Sequence, residues 1–465
     1  MKTVHKDIET WYETESEKVK YQSCMQEIRE SEKIRIYHHE IHKKNIKQSS
    51  ILKLQTEDEL LEGHSACANY MEGLVGELLL QPHNRDPVCE SILLEEVEKV
   101  FTVNDNSFLS LTPTKQEIKD TIDNSNLHAA PGTDGIPSFL YQQCWDTLGD
   151  ILNDMVQEVF RGNPPTKSQQ TSLMVFCGKP KKPNSIKPSD KRRISLLNSD
   201  FKILTGLEGR RLKKLSTHTL SNNQLVAGDN RRIHHGINKA RDAISAASKM
   251  QSGCGIADTD FMQAFDWMCL RWIWAVLEAK GMDNSVISRY INLYKDNISI
   301  CVMNNTLGSI FPNIRLSLRQ GDCPSLTFFA YGIDPLILFL EKRLRGIPIY
   351  SLPVLGPVSE MAPALEPVVE KYTVIGYADD LKPSITCLEE FKLVDEASSL
   401  FERCSGCKLH RSPTSGKCKF LPLAGWKDSL TQDQIPLDYM VLSDKLEMVG
   451  VDLFSSHQVT RQVDG

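Results

Sequence analysis

The chain has 465 residues, of which 40% are hydrophobic and 25% are charged, and this balance predicts a folded globular protein rather than a disordered one. The longest apolar run, residues 333–340, contains Asp334 and is too short to cross a membrane. The N-terminal residues lack the apolar segment of a secretion signal, and 13 scattered cysteines indicate reduced thiols. We therefore expect a protein of the cytoplasm or the nucleus without a membrane partner.

The charge is unevenly distributed along the chain. A net charge of −6 by itself argues against a nucleic-acid partner. Between Gly178 and Lys214, however, there are twelve Lys or Arg residues and only three Asp or Glu residues. Such a segment is either an ordinary solvated face or a surface that contacts phosphate groups.

The predicted elements mix helices with short strands. In chain order, the first half is predicted to contain a polar helix over 1–60, helices over 61–125 with loops near 82–87 and 111–114, a Pro- and Gly-rich loop over 129–137, a helix over 139–161, and a hairpin of strands 172–177 and 193–197. The second half is predicted to contain a strand over 255–260, helices over 267–280, 284–296 and 326–343, a hairpin over 298–314, an irregular insertion over 346–368, and a hairpin of strands 372–377 and 381–386.

Three carboxylates fall where predicted strands end or turn. Asp260 ends one strand, and Asp379 and Asp380 occupy the tip of the last hairpin. Carboxylates gathered at strand ends repel one another unless a hard divalent cation such as Mg²⁺ binds among them. Two such ions would activate a sugar hydroxyl and stabilise a leaving pyrophosphate. The alternative is that Asp379 and Asp380 form a simple turn pair, because Asp favours turns.

Six segments in a fixed order resemble the motifs of reverse transcriptases of the LINE-type, or non-LTR retrotransposon, branch. These segments are Ala130-Pro-Gly-Thr-Asp-Gly-Ile136, Arg192-Arg-Ile-Ser-Leu-Leu-Asn198 with Phe201-Lys-Ile-Leu204, Gln224-Leu-Val-Ala-Gly228, Asp260-Phe-Met-Gln-Ala-Phe-Asp266, Arg319-Gln-Gly-Asp-Cys-Pro-Ser325 with Gly332-Ile-Asp-Pro335, and Gly376-Tyr-Ala-Asp-Asp380. The resemblance extends over residues 114–453. It rests on the order of the segments, since any one of them could occur by chance.

The resemblance implies an α+β right-hand polymerase fold with an antiparallel palm sheet backed by helices. The implied domains are a helical N-terminal extension over 1–113, fingers over 114–250, a palm over 251–453 and a tail over 454–465. Residues 446–453 look like the primer-grip hairpin of the family. Because few residues follow them and no endonuclease segment is recognised, we expect a partial chain with the thumb largely absent.

The implied activity is RNA-directed DNA polymerisation. Deoxynucleotides would be added to a primer 3′-hydroxyl with two Mg²⁺ ions, Mn²⁺ being the alternative cation. The implied partners are an RNA template, a DNA primer and deoxynucleoside triphosphates, and the oligomeric state is left open. One alternative is a catalytically inactive or co-opted remnant that binds RNA. Another is an RNA-templated RNA polymerase, against which Phe265 argues.

The resemblance also implies roles for individual residues of the reaction centre. Asp260 and Asp379 would be the shared metal ligands, and Asp380 a neighbouring catalytic carboxylate of the same metal site. Phe265 stands where the family has an aromatic side chain that fills the volume of a ribose 2′-hydroxyl. The alternative for Phe265 is an ordinary core phenylalanine.

Further residues are implied to contact the incoming nucleotide. Gln320 and Gly321 would lie beneath it, with Gly321 allowing close approach of the backbone. Lys179 and Arg192 match the positions that bind the triphosphate. The family's Arg-Pro-Ile is Arg192-Arg193-Ile194 here, which leaves open whether Arg192 or Arg193 points inward.

The segment near residue 417 offers a general acid and a group of cysteines. Lys417 lies near the family's later lysine, which would protonate the departing pyrophosphate. Lys419 is the competing candidate, and the alternative for Lys417 is an ordinary surface lysine. The potential zinc ligands in this segment are Cys404, Cys407, His410 and Cys418. Their spacing is tight for a zinc finger, so buried thiols are the favoured interpretation, and metal binding by Cys404 and Cys407 is left open.

Overall fold

A computed structural model of the chain describes residues 50–80, 86–127, 129–179, 182–228, 231–312, 317–351, 368–448 and 450–455. Its helices are α1 (His64–Leu80), α2 (Pro87–Leu94), α3 (Val103–Ser110), α4 (Lys115–Asp123), α5 (Ser138–Gln143), α6 (Trp145–Phe160), α7 (Lys167–Gln170), α8 (Ser199–Thr219), α9 (Ile233–Ala247), α10 (Ala264–Trp267), α11 (Leu270–Ala279), α12 (Asn284–Tyr294), α13 (Ser325–Arg343) and α14 (Glu389–Ser405). Among these helices, none combines the length and the apolar character that crossing a bilayer needs. The strands are β1 (Lys53–Gln55), β2 (Leu60–Glu62), β3 (Thr171–Gly178), β4 (Lys191–Leu197), β5 (Gly253–Asp258), β6 (Ile298–Met303), β7 (Thr306–Phe311), β8 (Ile347–Ser351), β9 (Val368–Tyr372), β10 (Val374–Tyr377), β11 (Asp380–Ile385), β12 (Cys418–Ala424), β13 (Met440–Leu442), β14 (Lys445–Met448) and β15 (Val451–Phe454).

The sheet that carries the predicted carboxylates has five strands in the order β10-β11-β5-β12-β13. Neighbouring strands run antiparallel, except that β12 and β13 are parallel. Helix α13 packs against α11, α14 and β10, and all but two of the side chains from Ser325 to Leu340 are buried. The main hydrophobic core therefore supports the strands next to Asp260 and Asp379.

A second sheet has four strands in the order β4-β3-β6-β7. Strand β3 pairs antiparallel with β4 and parallel with β6, so segments far apart in the chain share this sheet. Helix α1 and strand β1 cover it, with Leu54 and Met71 in one buried cluster with Met174 and Phe176. The described part of the predicted N-terminal extension thus packs on strands of the predicted fingers and palm. The division into domains stays a prediction.

Several predicted elements are confirmed. The mixture of helices and sheets is α+β as predicted, although one pair of strands in the five-stranded sheet is parallel. The predicted hairpins appear as β3 with β4, β6 with β7, and β10 with β11. Residues 446–448 and 451–453 lie in the paired strands β14 and β15, in which Leu446 pairs with Leu453 and both are buried.

Three predicted elements are wrong in part. Residues 53–62 contain the β1–β2 hairpin instead of helix, because Leu54 is buried against the four-stranded sheet and tertiary packing overrides helix propensity. The insertion over 346–368 begins and ends in the paired strands β8 and β9, where an edge position tolerates Pro348. The helix over 139–161 is divided at Cys144, whose backbone leaves the helical region. Residues 1–49 and 352–367 lie outside the described residues.

Candidate active site

Strands β5 and β11 bring the predicted carboxylates into one register. Ser384 pairs with Ile256, and further along the same two strands Leu381 forms a bridge with Thr259. Asp260 follows Thr259, two residues beyond the end of β5, and Asp380 precedes Leu381 on β11. Because Asp379 precedes Asp380 at the tip of the β10–β11 hairpin, this adjacent pair and Asp260, which lies more than a hundred residues earlier, meet at one end of the sheet. Ala378, in the same turn, has a left-handed backbone with a φ of 54°, which is uncommon for a residue other than glycine.

The pKa of the Asp379 carboxyl depends on its burial and on the charges around it. Burial raises the pKa of the Asp379 carboxyl to about 6, and the negative charges of Asp260 and Asp380 add to the rise. The cation of Arg192 acts in the opposite direction. Asp260, Asp379 and Asp380 therefore lie within electrostatic reach of one another, and their mutual repulsion is of the kind that a bound divalent cation relieves.

Asp380 is bound to a lysine that the sequence analysis did not single out. The Lys382 ammonium contacts Asp380 Oδ1 and also lies 2.6 Å from Asp258 Oδ1. Burial raises the pKa of the Asp258 carboxyl to about 6, although the Lys382 ammonium opposes the rise. The signal for this group was present in the sequence as charged residues two positions apart on each strand, Asp258 with Asp260 and Asp380 with Lys382.

Asp260 has two cationic or titratable neighbours from the segment before β12. The Lys417 Nζ lies 3.7 Å and the His410 Nε2 lies 3.4 Å from Asp260 Oδ2. The His410 backbone N–H also donates to the Asp260 carbonyl oxygen at 2.9 Å, which fixes this segment beside β5. Burial lowers the pKa of His410, while the Asp260 carboxylate acts against this change. Lys419, the competing general acid, pairs with Asp258 one row further from the hairpin tip.

The predicted triphosphate contacts come from the β3–β4 hairpin. Lys179 follows β3, and burial lowers the pKa of its ammonium, with Lys417 as the next largest influence. Arg192 is exposed, and its charge acts on both Lys179 and Asp379. Arg193 points to the other side of β4, where its Nη2 is 2.7 Å from Asp266 Oδ2. Arg192 is therefore the arginine that remains available to the carboxylate site.

Phe265 lies on the short helix that follows Asp260. Its ring stacks on Phe329 with a centroid distance of 4.5 Å and an interplanar angle of 18°, and it is only partly buried. Its carbonyl oxygen accepts a hydrogen bond of 2.8 Å from the Leu318 N–H. A ring held by the core with one part exposed fits the predicted role as a steric barrier, and the role itself stays a prediction.

Gln320 and Gly321 lie against strand β4. The Gln320 carbonyl oxygen accepts a 2.8 Å hydrogen bond from the Ser195 N–H. Gly321 has a φ of +113°, and an added Cβ would stand 2.7 Å from the Ser195 carbonyl oxygen, so glycine is required here. Arg319, by contrast, is 3% exposed, and its guanidinium lies over the Phe201 ring. It is a core residue and is not accessible to a nucleotide.

The cysteines near residue 407 make contacts other than metal ligation. The Cys407 thiol lies 3.3 Å from the Ala264 carbonyl oxygen, and the Cys418 thiol lies 3.4 Å from that of His410. The His410 ring is directed to Asp260 instead of these thiols. Within the described ranges, no group of three or more His, Cys, Asp or Glu side chains is arranged to hold a metal ion. The zinc alternative has no support in this arrangement.

The donor set at the hairpin tip fits a hard cation. Asp260 and Asp379 offer carboxylate oxygens, the ligands that Mg²⁺ and Mn²⁺ prefer, and the pKa of Asp379 is raised mainly by burial, with the negative charges of Asp260 and Asp380 adding to the rise. One oxygen of Asp380 is in contact with Lys382, and the role of Asp380 as a metal ligand stays a prediction. Two carboxylates that leave further coordination positions open are suited to cations that also bind phosphate oxygens.

Comparisons with known proteins identify the family of the chain. The sequence model of the family described as reverse transcriptase (RNA-dependent DNA polymerase) matches residues 179–450. The chain is also similar to an uncharacterized 149 kDa protein of transposon TX1 from Xenopus laevis, with 24% identity over 303 residues. This similarity covers 63% of the chain but only 22% of the relative, so the chain spans a small part of that protein. The predicted resemblance to reverse transcriptases is confirmed, and the chain belongs to the reverse transcriptase family of RNA-dependent DNA polymerases.

Proposed function

We propose that this chain is the RNA-directed DNA polymerase of a non-LTR retrotransposon and adds deoxynucleotides to a primer 3′-hydroxyl with two divalent cations. The observation that carries the proposal is the convergence of Asp260 and Asp379 at the end of the five-stranded sheet. Their charges act on each other, and burial and repulsion together raise the pKa of Asp379 to about 6. The similarity to a transposon protein supports the retrotransposon assignment.

Each neighbouring side chain has a task in this reaction. Asp260 and Asp379 hold the cations, which when bound activate the attacking hydroxyl and stabilise the leaving pyrophosphate. Lys417, beside Asp260, donates a proton to the departing pyrophosphate. Lys179 and Arg192 bind the triphosphate, because its negative charge attracts the positively charged side chains of both residues. Phe265 excludes a ribose 2′-hydroxyl by occupying its volume.

The partners that fit this site are an RNA template, a DNA primer and deoxynucleoside triphosphates. The basic segment 178–214 contributes to their binding only in part, because it does not form a single surface. The guanidinium of Arg211 is buried against Glu117, whereas Arg210, Lys213 and Lys214 are exposed on the same helix. The exposed members are the ones suited to phosphate contacts.

The test is primer extension by the full chain on an RNA template with an annealed DNA primer. Asp379→Asn keeps the shape of the side chain but removes its charge, and we expect it to lower the extension rate by more than about 10³-fold. Asp428→Asn, at an exposed position, is the matched control and should leave the rate unchanged. RNA binding without any Mg²⁺-dependent product from the native chain would favour a binding protein and overturn the proposal.

A further inference from the structure

Lys382 is a buried lysine with two carboxylate partners. It is 1% exposed, and lysine is almost never buried to this extent unless it is paired. Its ammonium lies between Asp258 on β5 and Asp380, which is two residues away on its own strand. Burial alone would lower the pKa of Lys382, but the two carboxylates raise it, so the ammonium stays charged.

The register of three strands arranges these charges in two rows. Asp258 pairs with Lys419 on β12, and the register of β5 with β11 places it opposite Lys382. One step closer to the hairpin tip, the same registers place Asp260 between Lys417 and Asp380. Side chains two residues apart on a strand share a face, so Asp380 and Lys382 lie on one side of the sheet with Asp258 and Lys419. Lys417 and Asp260 lie just beyond the ends of their strands and contact each other. Lys382 connects the row that contains Asp258 to the row that contains Asp260, through its contact with Asp380.

This contact changes what Asp380 can offer to a cation. One Asp380 oxygen already accepts a charge-assisted hydrogen bond from the ammonium, and a divalent cation at that oxygen would have to displace it. Displacement would leave a buried ammonium with one partner fewer, which is costly at low solvent exposure. Among the described residues, no buried lysine or arginine contacts Asp260 or Asp379 in this way, and the His410 Nε2 and Lys417 Nζ lie 3.4 Å and 3.7 Å from Asp260 Oδ2 on side chains that solvent reaches.

We propose that Lys382 is a positioning residue of the metal site, which holds Asp380 back against the sheet and leaves Asp260 and Asp379 as the carboxylates that bind the cations. This inference rests on the proposed function, because it presupposes that Asp260 and Asp379 bind a divalent cation. In this arrangement Asp380 is an ion-pair partner of Lys382, and Asp258 is the second partner that fixes the position of the ammonium.

The experiment measures Mn²⁺ binding to the full chain by the loss of the free Mn²⁺ signal in electron paramagnetic resonance. In the native background, Asp380→Asn should weaken Mn²⁺ binding less than about twofold, because Lys382 already occupies Asp380. The Asp258→Val/Lys382→Met double variant replaces the ion pair by apolar side chains of similar length, which proteins often tolerate. In this background Asp380 is released, and Asp380→Asn should weaken Mn²⁺ binding more than about tenfold.

The controls separate this inference from the proposed function. Asp379→Asn should weaken Mn²⁺ binding in both backgrounds, and an unchanged affinity there would overturn the metal site itself. An equal effect of Asp380→Asn in the two backgrounds would overturn the role of Lys382 alone. Lys280→Met disrupts another buried lysine pair, with Asp334 at 2.7 Å, and should leave the effect of Asp380→Asn small. If Lys280→Met enlarged the effect of Asp380→Asn on Mn²⁺ affinity as much as the double variant does, a general loss of stability would be the cause and the inference would be wrong. Should the double variant fail to fold, Lys382→Gln is measured in the same way with the same two outcomes.

Discussion

Arg193 of strand β4 and Asp266 of helix α10 form an ion pair between the four-stranded sheet and the short helix that follows Asp260. The Arg193 Nη2 lies 2.7 Å from Asp266 Oδ2 and 3.2 Å from the Gln263 side-chain oxygen, and both members of the ion pair are nearly buried. Burial raises the pKa of Asp266, and the guanidinium opposes the rise. The pair therefore ties the β3–β4 hairpin to the short helix that contains Phe265.

The two adjacent arginines of β4 should differ in what they stabilise. Arg193→Leu leaves the Asp266 carboxylate buried without its partner, and we expect it to lower the free energy of unfolding by about 3 kcal/mol. Arg192→Leu, at an exposed position, should change that free energy by less than about 0.5 kcal/mol but raise the KM for deoxynucleotides. Urea unfolding and steady-state kinetics measure both effects. The reverse assignment of the two effects would contradict the orientation described for β4.

Asp379 should make the metal-free chain less stable at neutral pH than its amide variant. The ordinary pKa of this carboxyl is 3.8 and burial raises it to about 6, so the folded chain binds the proton more tightly than the unfolded chain. The resulting stabilisation is lost as the pH rises through this interval, and above pH 6 the folded chain carries the full cost of the charge. In chelator at pH 7.5, Asp379→Asn should therefore raise the Tm by about 2 °C.

The pH dependence and the effect of a cation provide the controls for this experiment. The difference in Tm should become small at pH 3.5, where the carboxyl is protonated in the folded chain and largely protonated in the unfolded chain. Added Mg²⁺ should raise the Tm of the native chain at pH 7.5 and have no such effect on Asp379→Asn. A Tm difference that is the same at both pH values would show that the charge of Asp379 is not its cause.

Phe265 should decide which sugar the nucleotide carries. Phe265→Ala removes the ring that stacks on Phe329, and we expect the preference for deoxynucleotides over ribonucleotides to fall at least about tenfold. Phe265→Tyr keeps the ring and should keep the preference. The measurement is the ratio of kcat/KM for the two nucleotides on the same primed RNA. An unchanged ratio in Phe265→Ala would leave Phe265 as a core residue only.

Lys417 and Lys419 should separate cleanly as candidates for the general acid. Lys417 lies 3.7 Å from Asp260, whereas Lys419 pairs with Asp258 in the row behind it. Lys417→Ala should lower kcat about 10²-fold or more and change its dependence on pH, because a proton donor is lost. Lys419→Ala should lower kcat no more than about threefold. A larger loss in Lys419→Ala would exchange the two roles.

The sequence predicted those parts of this site that depend on local structure alone. The Tyr-Ala-Asp-Asp segment between two apolar runs predicts a hairpin with carboxylates at its tip, and β10 and β11 form it. The strand ending near Asp260 and the β3–β4 hairpin follow from runs of the same kind. In such places the periodicity of side chains along a strand is sufficient.

The sequence did not reveal what depends on pairing between distant segments. The local sequence gives no sign that Lys382 is buried. Its ion pair with Asp258 depends on the register of β5 with β11. The choice between Arg192 and Arg193 needs the position of Asp266, which lies on another element. The β1–β2 hairpin depends on the burial of Leu54 against a sheet that begins more than a hundred residues later. Register and tertiary burial are properties of the folded chain that a local pattern does not contain.

Iron-mediated cleavage of the full chain tests the central claim most directly. Fe²⁺ substitutes for Mg²⁺ at oxygen ligands, and with ascorbate and peroxide it generates radicals that cut the backbone close to the bound ion. If Asp260 and Asp379 share a cation site, cuts should appear near both residues, be suppressed by excess Mg²⁺, and disappear together in either Asp260→Asn or Asp379→Asn. Cuts near only one residue, or cuts near one that persist when the other is substituted, would contradict a shared site.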